Sequence, residues 1–120
     1  MIPLNKEILN SFKSLKTEQE NRVQFELKIP ESLSCFSGHF PGQPVLPAVA
    51  LIDLSHFFIT QAFPKIHSAA LKSLPYLKIK SNVVPGQLCL IEVVRNSALD
   101  YLICWKTENL MVAEVSFLFG

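Results

Sequence analysis

The sequence has little charge and little cysteine, and each shortage argues against a class of protein. Charged residues make up 18% of the 120 residues, and 11 basic against 10 acidic residues leave a formal net charge of +1. This balance gives no global field that would favour nucleic acid as a partner. The three cysteines (Cys35, Cys89 and Cys104) form no CxxC pair and are odd in number, which argues against a disulfide framework and a zinc site. We therefore expect free thiols in a reducing compartment.

Long uninterrupted hydrophobic runs are also missing. The longest apolar stretch, Val45 to Phe63, is broken by Pro47, Asp53 and His56, whereas a membrane span needs about 20 predominantly apolar residues. The N-terminus has no apolar run behind a basic start, so the sequence predicts no secretory signal. We expect a cytoplasmic protein without membrane insertion.

Hydrophobic residues are abundant, at 49% of the chain. This fraction is too high for a disordered protein, and a chain of 120 residues has the length of one domain. We expect residues 1–120 to form a single domain whose apolar surface is partly shared with another subunit.

Hydrophobic periodicity predicts a mixed α+β chain. Apolar side chains at helical spacing predict a short amphipathic helix within Leu4 to Leu15, and strict alternation from Val23 to Ile29 predicts a half-buried strand. Between Pro47, which suits a first helical turn, and Pro64, the sequence predicts a 16-residue helix. That helix is apolar nearly all round, so we expect the rest of the protein to wrap it. Four further strands in meander order are predicted at Leu74–Lys80, Leu88–Val94, Ala98–Trp105 and Leu110–Phe119, with turns at Pro85-Gly86, Arg95–Ser97 and Lys106–Asn109.

These elements predict an α+β layout in which a curved antiparallel sheet covers a central helix. Periodicity alone also permits other small α+β folds. A motif in the connection before the helix distinguishes among them.

The connection before the helix is rich in proline and glycine. It reads FSGHFPGQPVLP from Phe36 to Pro47, and Asp53 follows inside the apolar helix. This pattern resembles the signature of FabA and FabZ, the 3-hydroxyacyl-(acyl carrier protein) dehydratases, and VVPG at residues 83–86 resembles that family's turn before a strand. The resemblance implies a hot-dog fold and dehydration of 3-hydroxyacyl-ACP to trans-2-enoyl-ACP, without cofactor or metal. The implied pathway is fatty-acid biosynthesis or a related polyene or polyketide pathway.

The residue types in this segment suit that reaction. Elimination of water from a 3-hydroxyacyl thioester needs a base for the C2 proton, an acid for the C3 hydroxyl, and a group that stabilises charge on the thioester oxygen. His39 can be the base because a neutral imidazole is available near neutral pH. Asp53 can be the acid or can orient the departing water, because a carboxyl group in apolar surroundings favours its protonated form. The N–H groups of Ala48 and Val49, in the first helical turn, can face the thioester oxygen.

Further residues are expected to bind the acyl substrate. The motif and the helix after it supply Phe36, Gly38, Phe40, Pro47, Ala48, Val49 and Phe57. His56 and His67 are interpreted as structural or solvent-facing histidines.

Two other functions stay open. A hot-dog thioesterase would use a carboxylate to activate water, although the GHFPG loop argues against it. A non-catalytic acyl-ACP-binding subunit is the other alternative. It is suggested by Ala48 and Phe57, which stand where the dehydratases usually have glycine and glutamine.

The resemblance also implies partners. Acyl carrier protein is acidic, so we expect a local basic patch among Lys72, Lys78, Lys80 and Arg95. We expect a homodimer or an oligomer of dimers, because a small sheet on one helix leaves strand edges to be paired. In the FabA and FabZ relatives the histidine of one subunit faces the acid of the other, which implies that His39 lies near Asp53 of the partner chain.

Overall fold

Six strands and one long helix make up most of the protein. The computed structural model describes residues 4–15, 19–37 and 42–120. The elements in chain order are α1 (Leu4–Glu7), β1 (Phe12–Leu15), β2 (Arg22–Lys28), a 3₁₀ helix (Ser34–Phe36), α2 (Ala48–Ala62), a second 3₁₀ helix (Pro64–Ser68), β3 (Leu71–Ile79), β4 (Leu88–Ser97), β5 (Asp100–Thr107) and β6 (Leu110–Phe119). The predicted α+β class is confirmed.

The strands form one antiparallel sheet in the order β1-β2-β4-β5-β6-β3. The meander prediction is confirmed for β4, β5 and β6, but it is wrong for β3. That strand pairs with β6 at the far edge, with Lys78 opposite Glu114, so the chain returns across the sheet to reach β4. Alternation in a sequence predicts which side chains lie on each face of a strand. It does not predict which strand lies beside it, because that depends on pairing between distant residues.

The N-terminal helix is much shorter than predicted. Of the predicted segment only Leu4–Glu7 is helical, and Phe12–Leu15 instead forms the edge strand beside β2. Phe12 makes edge-on ring contacts with Phe25 and Phe58, at centroid distances of 6.1 and 5.3 Å. Pairing with β2 and burial of this ring against the core therefore override the helical spacing of the sequence.

Helix α2 lies across the concave face of the sheet. It begins one residue after Pro47, whose extended backbone (φ −65°, ψ 152°) makes this proline the N-cap and not a residue of the first turn. The helix side chains that face the sheet include Leu51, Leu54 and Phe58, which are almost fully buried. The inward residues of the sheet complete the core, among them Phe25, Leu27, Cys89, Ile91, Val93, Ile103, Trp105, Val115 and Phe117.

The sheet wraps one side of α2, as predicted, and the other side of the helix is open in this chain. Val49 is 79% exposed and Asp53 is also exposed. One curved sheet covers one side of a helix, and an apolar residue left on the other side needs a different cover.

The turns of the meander agree with the prediction in part. Glu108 and Asn109 adopt positive φ values of 50° and 66° in the tight connection between β5 and β6, as the predicted Lys106–Asn109 turn requires. The predicted turn at Arg95–Ser97 is wrong, because β4 continues through Ser97 and the chain turns at residues 98–99.

Candidate functional site

An open cleft of about 880 Å³ runs along the exposed side of α2. The helix forms its floor with residues that recur at helical spacing, and α1, the 3₁₀ helix after β2 and the 3₁₀ helix after α2 form its walls. The lining residues are Leu4, Asn5, Glu7, Ser34, Cys35, Pro47, Val49, Ala50, Asp53, His56, Phe57, Thr60 and His67. The cleft therefore combines an apolar floor with a few carboxyl, hydroxyl and imidazole groups, as ligand sites often do.

The N-terminus of α2 opens into this cleft. Proline has no polar side chain, and Pro47 makes no side-chain cap to the first turn. Pro47 and Val49 both line the cleft. The first-turn N–H groups carry partial positive charge, which suits this end of the cleft to a developing negative charge on a bound oxygen.

Asp53 lies one turn further along the helix, about 6 Å from Val49 by the helical rise, and also lines the cleft. The expectation that its carboxyl group is buried in an apolar setting is wrong for the single chain, in which Asp53 is exposed. Its backbone is nevertheless held in place, because a hydrogen bond joins the helix to the sheet two residues later.

The tie between helix and sheet is made by Ser55. Its hydroxyl group donates to the carbonyl oxygen of Leu51 at 2.7 Å and accepts from the indole Nε1–H of Trp105 at 2.9 Å. Ser55 and Trp105 are fully buried. This hydrogen-bonded pair fixes the orientation of α2 about its own axis, so that Asp53 lies on the side of the helix away from the sheet.

Among the polar cleft residues that were not predicted as site residues, three come from α2 and the 3₁₀ helix after it. His56 and Thr60 come from α2, and His67 comes from the 3₁₀ helix that follows it. His67 is exposed, in agreement with the sequence interpretation, whereas His56 is half-buried and stacks on Phe117 and Phe119. The spacing of Asp53, His56 and Thr60 places the three residues on one helix face. From this spacing, the sequence could have predicted that His56 and Thr60 lie beside Asp53.

The wall opposite α2 is fixed by a hydrogen-bonded clamp. The Glu7 carboxylate accepts from the Ser34 backbone N–H at 2.9 Å and from the Ser34 hydroxyl at 2.8 Å. Partial burial and the neighbouring Glu7 charge raise the pKa of the Cys35 thiol above its ordinary value. Cys35 is therefore largely a neutral thiol near neutral pH, and we assign it no nucleophilic role.

The other predicted site residues fall into three groups. Gly38, His39 and Phe40 lie outside the described residues, so the structure says nothing of their positions. Phe36 is 9% exposed and belongs to the core, and Ala48 lines a smaller neighbouring groove of about 370 Å³. Phe57 lines the cleft, and its ring also contacts Phe12 at a centroid distance of 5.6 Å.

Neither a metal cluster nor a membrane-spanning helix is present in the described part of the chain. No group of three His, Cys, Asp or Glu side chains there is arranged to hold a metal ion. Within residues 4–15, 19–37 and 42–120, no helix has the length and hydropathy needed to cross a bilayer.

Two comparisons by sequence both match this chain to dehydratases. The model of the ApeI-like family, described as ApeI dehydratase, matches residues 15–114. The chain is also similar to a 3-hydroxyacyl-[acyl-carrier-protein] dehydratase FabZ of Ehrlichia canis (strain Jake), at 28% identity over 99 residues. That match covers 69% of this chain and 64% of the relative, so the chain spans less than two thirds of the curated protein it matches.

Comparison by structure gives the fold. One similar structure is the dehydratase heterocomplex ApeI:P from Xenorhabdus doucetiae, with a TM-score of 0.76 and 19% identity over 89% of this chain and 97% of that chain. Thioesterase superfamily member 2 from Mus musculus superposes with a TM-score of 0.70 and 10% identity, over 96% of this chain and 86% of that chain. The predicted hot-dog fold and the resemblance to the FabA and FabZ dehydratases are confirmed.

Proposed function

This chain belongs to the ApeI-like dehydratase family, and from that premise we propose that it removes water from a 3-hydroxyacyl thioester carried by acyl carrier protein. The product is the trans-2-enoyl thioester, in fatty-acid biosynthesis or a related acyl-chain pathway. The observation that carries the proposal is the position of Asp53 in the cleft, one helical turn beyond Val49 in the first turn of α2, which has no side-chain cap. The reaction needs neither a cofactor nor a metal ion.

The proposed chemistry divides the elimination between two side chains. His39 accepts the proton from C2 as the C2–H bond breaks and the C2–C3 double bond forms. Asp53 donates a proton to the C3 hydroxyl group, which leaves as water. The N–H groups of Ala48 and Val49 stabilise the negative charge that develops on the thioester oxygen. Asp53 is reprotonated and His39 deprotonated before the next turnover, so the enzyme returns to its starting state.

The acyl chain then lies along the floor of the cleft. Pro47, Val49 and Phe57 line it, which supports their assignment as substrate-binding residues. Phe36, Gly38 and Phe40 complete the proposed binding set by virtue of the motif, and Ala48 belongs to it through its first-turn N–H group.

We further propose a homodimer in which each site is shared. Strand β3 pairs with β6 at the edge of the sheet, and it leaves Leu71, Tyr76, Leu77 and Ile79 between 41 and 44% exposed. Val49 and Asp53 on α2 are also exposed, and we propose that a second subunit covers both sets of residues. Such cover would also remove Asp53 from water, as its role as an acid requires. His39 of one subunit would then face Asp53 of the other.

The direct test is an assay of the purified protein with 3-hydroxyacyl-ACPs of graded chain length, read by mass spectrometry. Loss of water from the acyl chain is the expected result. Release of free thiol would instead identify a thioesterase, and binding of acyl-ACP without turnover would identify a non-catalytic subunit.

Two substitutions test the assigned roles. His39→Ala and Asp53→Asn should each lower kcat by roughly 10²- to 10⁴-fold, since each removes a proton-transfer group. Asp100→Asn, the same change at a carboxylate outside the cleft, is the matched control and should leave turnover unchanged. Near-wild-type turnover of either active-site variant would remove that residue from the mechanism.

Subunit exchange tests the shared site. A mixture of the inactive His39→Ala and Asp53→Asn proteins should regain activity, because each heterodimer contains one site with both native groups. About half of the activity of a wild-type dimer is expected per heterodimer on symmetry grounds. If exchange is demonstrated by native mass spectrometry and activity stays absent, the shared-site arrangement is wrong.

A further inference from the structure

His56 lies beside Asp53 on the cleft side of α2. The two residues are three apart in a continuous helix, a spacing that brings side chains to neighbouring positions on one face. Both line the cleft. Asp53 and His56 are therefore neighbours along the path that a substrate would occupy.

The imidazole ring is held by the sheet. It stacks on Phe117 and Phe119 of β6, with centroid distances of 6.2 and 5.7 Å and interplanar angles of 26° and 30°. These contacts limit the ring to a narrow range of orientations. A nitrogen atom at the edge of the ring is thus presented from a fixed support, three residues after Asp53 on the same face of the helix.

The protonation state of His56 suits it to act as an uncharged hydrogen-bond donor. Burial lowers the pKa of the imidazole; the Asp53 carboxylate opposes this shift, and His67 adds to it. The net direction is downward from the ordinary value of 6.5. His56 is then neutral near pH 7, with one N–H donor and one free nitrogen lone pair.

Another helix neighbour of Asp53 on this face has no polar side-chain atom. Phe57 lies four residues after Asp53, and its ring packs against Phe12 and Phe58 at 5.6 and 5.4 Å. Of these two neighbours, only His56 can form a hydrogen bond to the carboxyl group.

We propose that His56 is a positioning residue for Asp53, and that its N–H donates to one carboxyl oxygen so that the other oxygen faces the hydroxyl group of the substrate. This inference rests on the proposed dehydratase function. When Asp53 gives up its proton, the acceptor becomes a carboxylate and the hydrogen bond strengthens. The interaction is thus stronger in the transition state than in the ground state, and it contributes to kcat more than to KM.

Substitutions at one position separate this role from packing. His56→Phe keeps an aromatic ring against Phe117 and Phe119 but removes the donor, and it should lower kcat by about 10- to 100-fold, the range for a hydrogen bond to a charged group. KM should change less than about twofold, since ground-state binding is retained. His56→Asn and His56→Gln place an amide N–H near the Nδ1 and Nε2 positions, and at least one of them should recover most of the lost rate.

The coupling to Asp53 gives a second kinetic test. In the Asp53→Asn background, His56→Phe should cost little further rate, because residues that act as a unit are not additive. An unchanged kcat in His56→Phe, a full additional loss in the double variant, or no recovery by either amide would each overturn the positioning role.

A measurement without turnover keeps this inference separate from the proposed function. The His56 imidazole is titrated by NMR in the wild-type protein and in Asp53→Asn. Where Asp53 is ionised, its carboxylate raises the pKa of His56, so the Asp53→Asn change should lower that pKa; the proposed mechanism requires a protonated Asp53 only in the substrate complex. An unchanged His56 titration would refute the contact even in an active enzyme. A wild-type protein that dehydrates no thioester would refute the proposed function, and the titration would then decide the contact by itself.

Discussion

The hydrogen bond between Ser55 and Trp105 allows a quantitative test of how α2 is held in place. Ser55→Ala removes the acceptor of the Trp105 Nε1–H, which is fully buried in the core. A buried donor left without a partner costs about 1–3 kcal/mol. Alanine is the better helix former by about 0.5 kcal/mol, which offsets part of that cost. We therefore expect a net loss of about 1.5 kcal/mol in the free energy of unfolding.

This loss translates into a measurable shift of the thermal midpoint. The entropy of unfolding is about 2.1 cal/mol/K per residue, or about 0.25 kcal/mol/K for a chain of this length, so the midpoint should fall by about 6 °C. Differential scanning calorimetry at one protein concentration measures it, since the proposed subunit association would make the midpoint depend on concentration.

Two variants make the test specific. Ser68→Ala changes an exposed serine with a long 3.4 Å bond to the Lys65 carbonyl oxygen, and it should alter stability by less than about 0.5 kcal/mol. In a Trp105→Phe background, where no N–H needs an acceptor, Ser55→Ala should cost about 1 kcal/mol less than in the wild type. Equal midpoints for Ser55→Ala and Ser68→Ala would refute the reasoning.

Three more predictions concern the surface, the cleft wall and the thiols. Lys78→Glu with Lys80→Glu reverses two exposed charges and should raise KM for acyl-ACP but not for an acyl-pantetheine; an equal rise for both would refute docking at this patch. Glu7→Ala removes two hydrogen bonds to the 3₁₀ turn after β2 and should lower the free energy of unfolding by about 1 kcal/mol, measured by urea denaturation. Burial raises the thiol pKa of Cys89 to about 12 and of Cys104 to about 11. Iodoacetamide at pH 8 should therefore label neither in the native protein, and rapid labelling of either would contradict that burial.

Local periodicity in the sequence is enough to place several elements. The alternation of Val23, Phe25 and Leu27 predicts β2, and the prolines at 47 and 64 bracket α2 almost to the residue. These features depend on neighbouring residues alone, because side-chain direction follows the period of the strand or helix. The motif around His39 and Asp53 likewise indicates the family, because it consists of residue types in a fixed order along the chain.

The arrangement of β1 and β3 is not accessible in that way. The segment at Phe12–Leu15 has helical spacing in the sequence, and only its pairing with β2 makes it a strand. The place of β3 beside β6 is a contact between residues far apart in the chain. Propensity and alternation hold no information about which distant strand becomes the neighbour.

The sequence by itself therefore determined the fold class, the central helix, the family and the residues with suitable chemistry. Tertiary structure alone decided that one face of α2 stays open, that Asp53 is exposed there, and that the ring of His56 stacks on Phe117 and Phe119. The physical reason is that the sheet can cover only one side of the helix. Which side it covers follows from the packing of residues such as Ser55 and Trp105, and not from the composition of the helix, which is apolar on nearly every side.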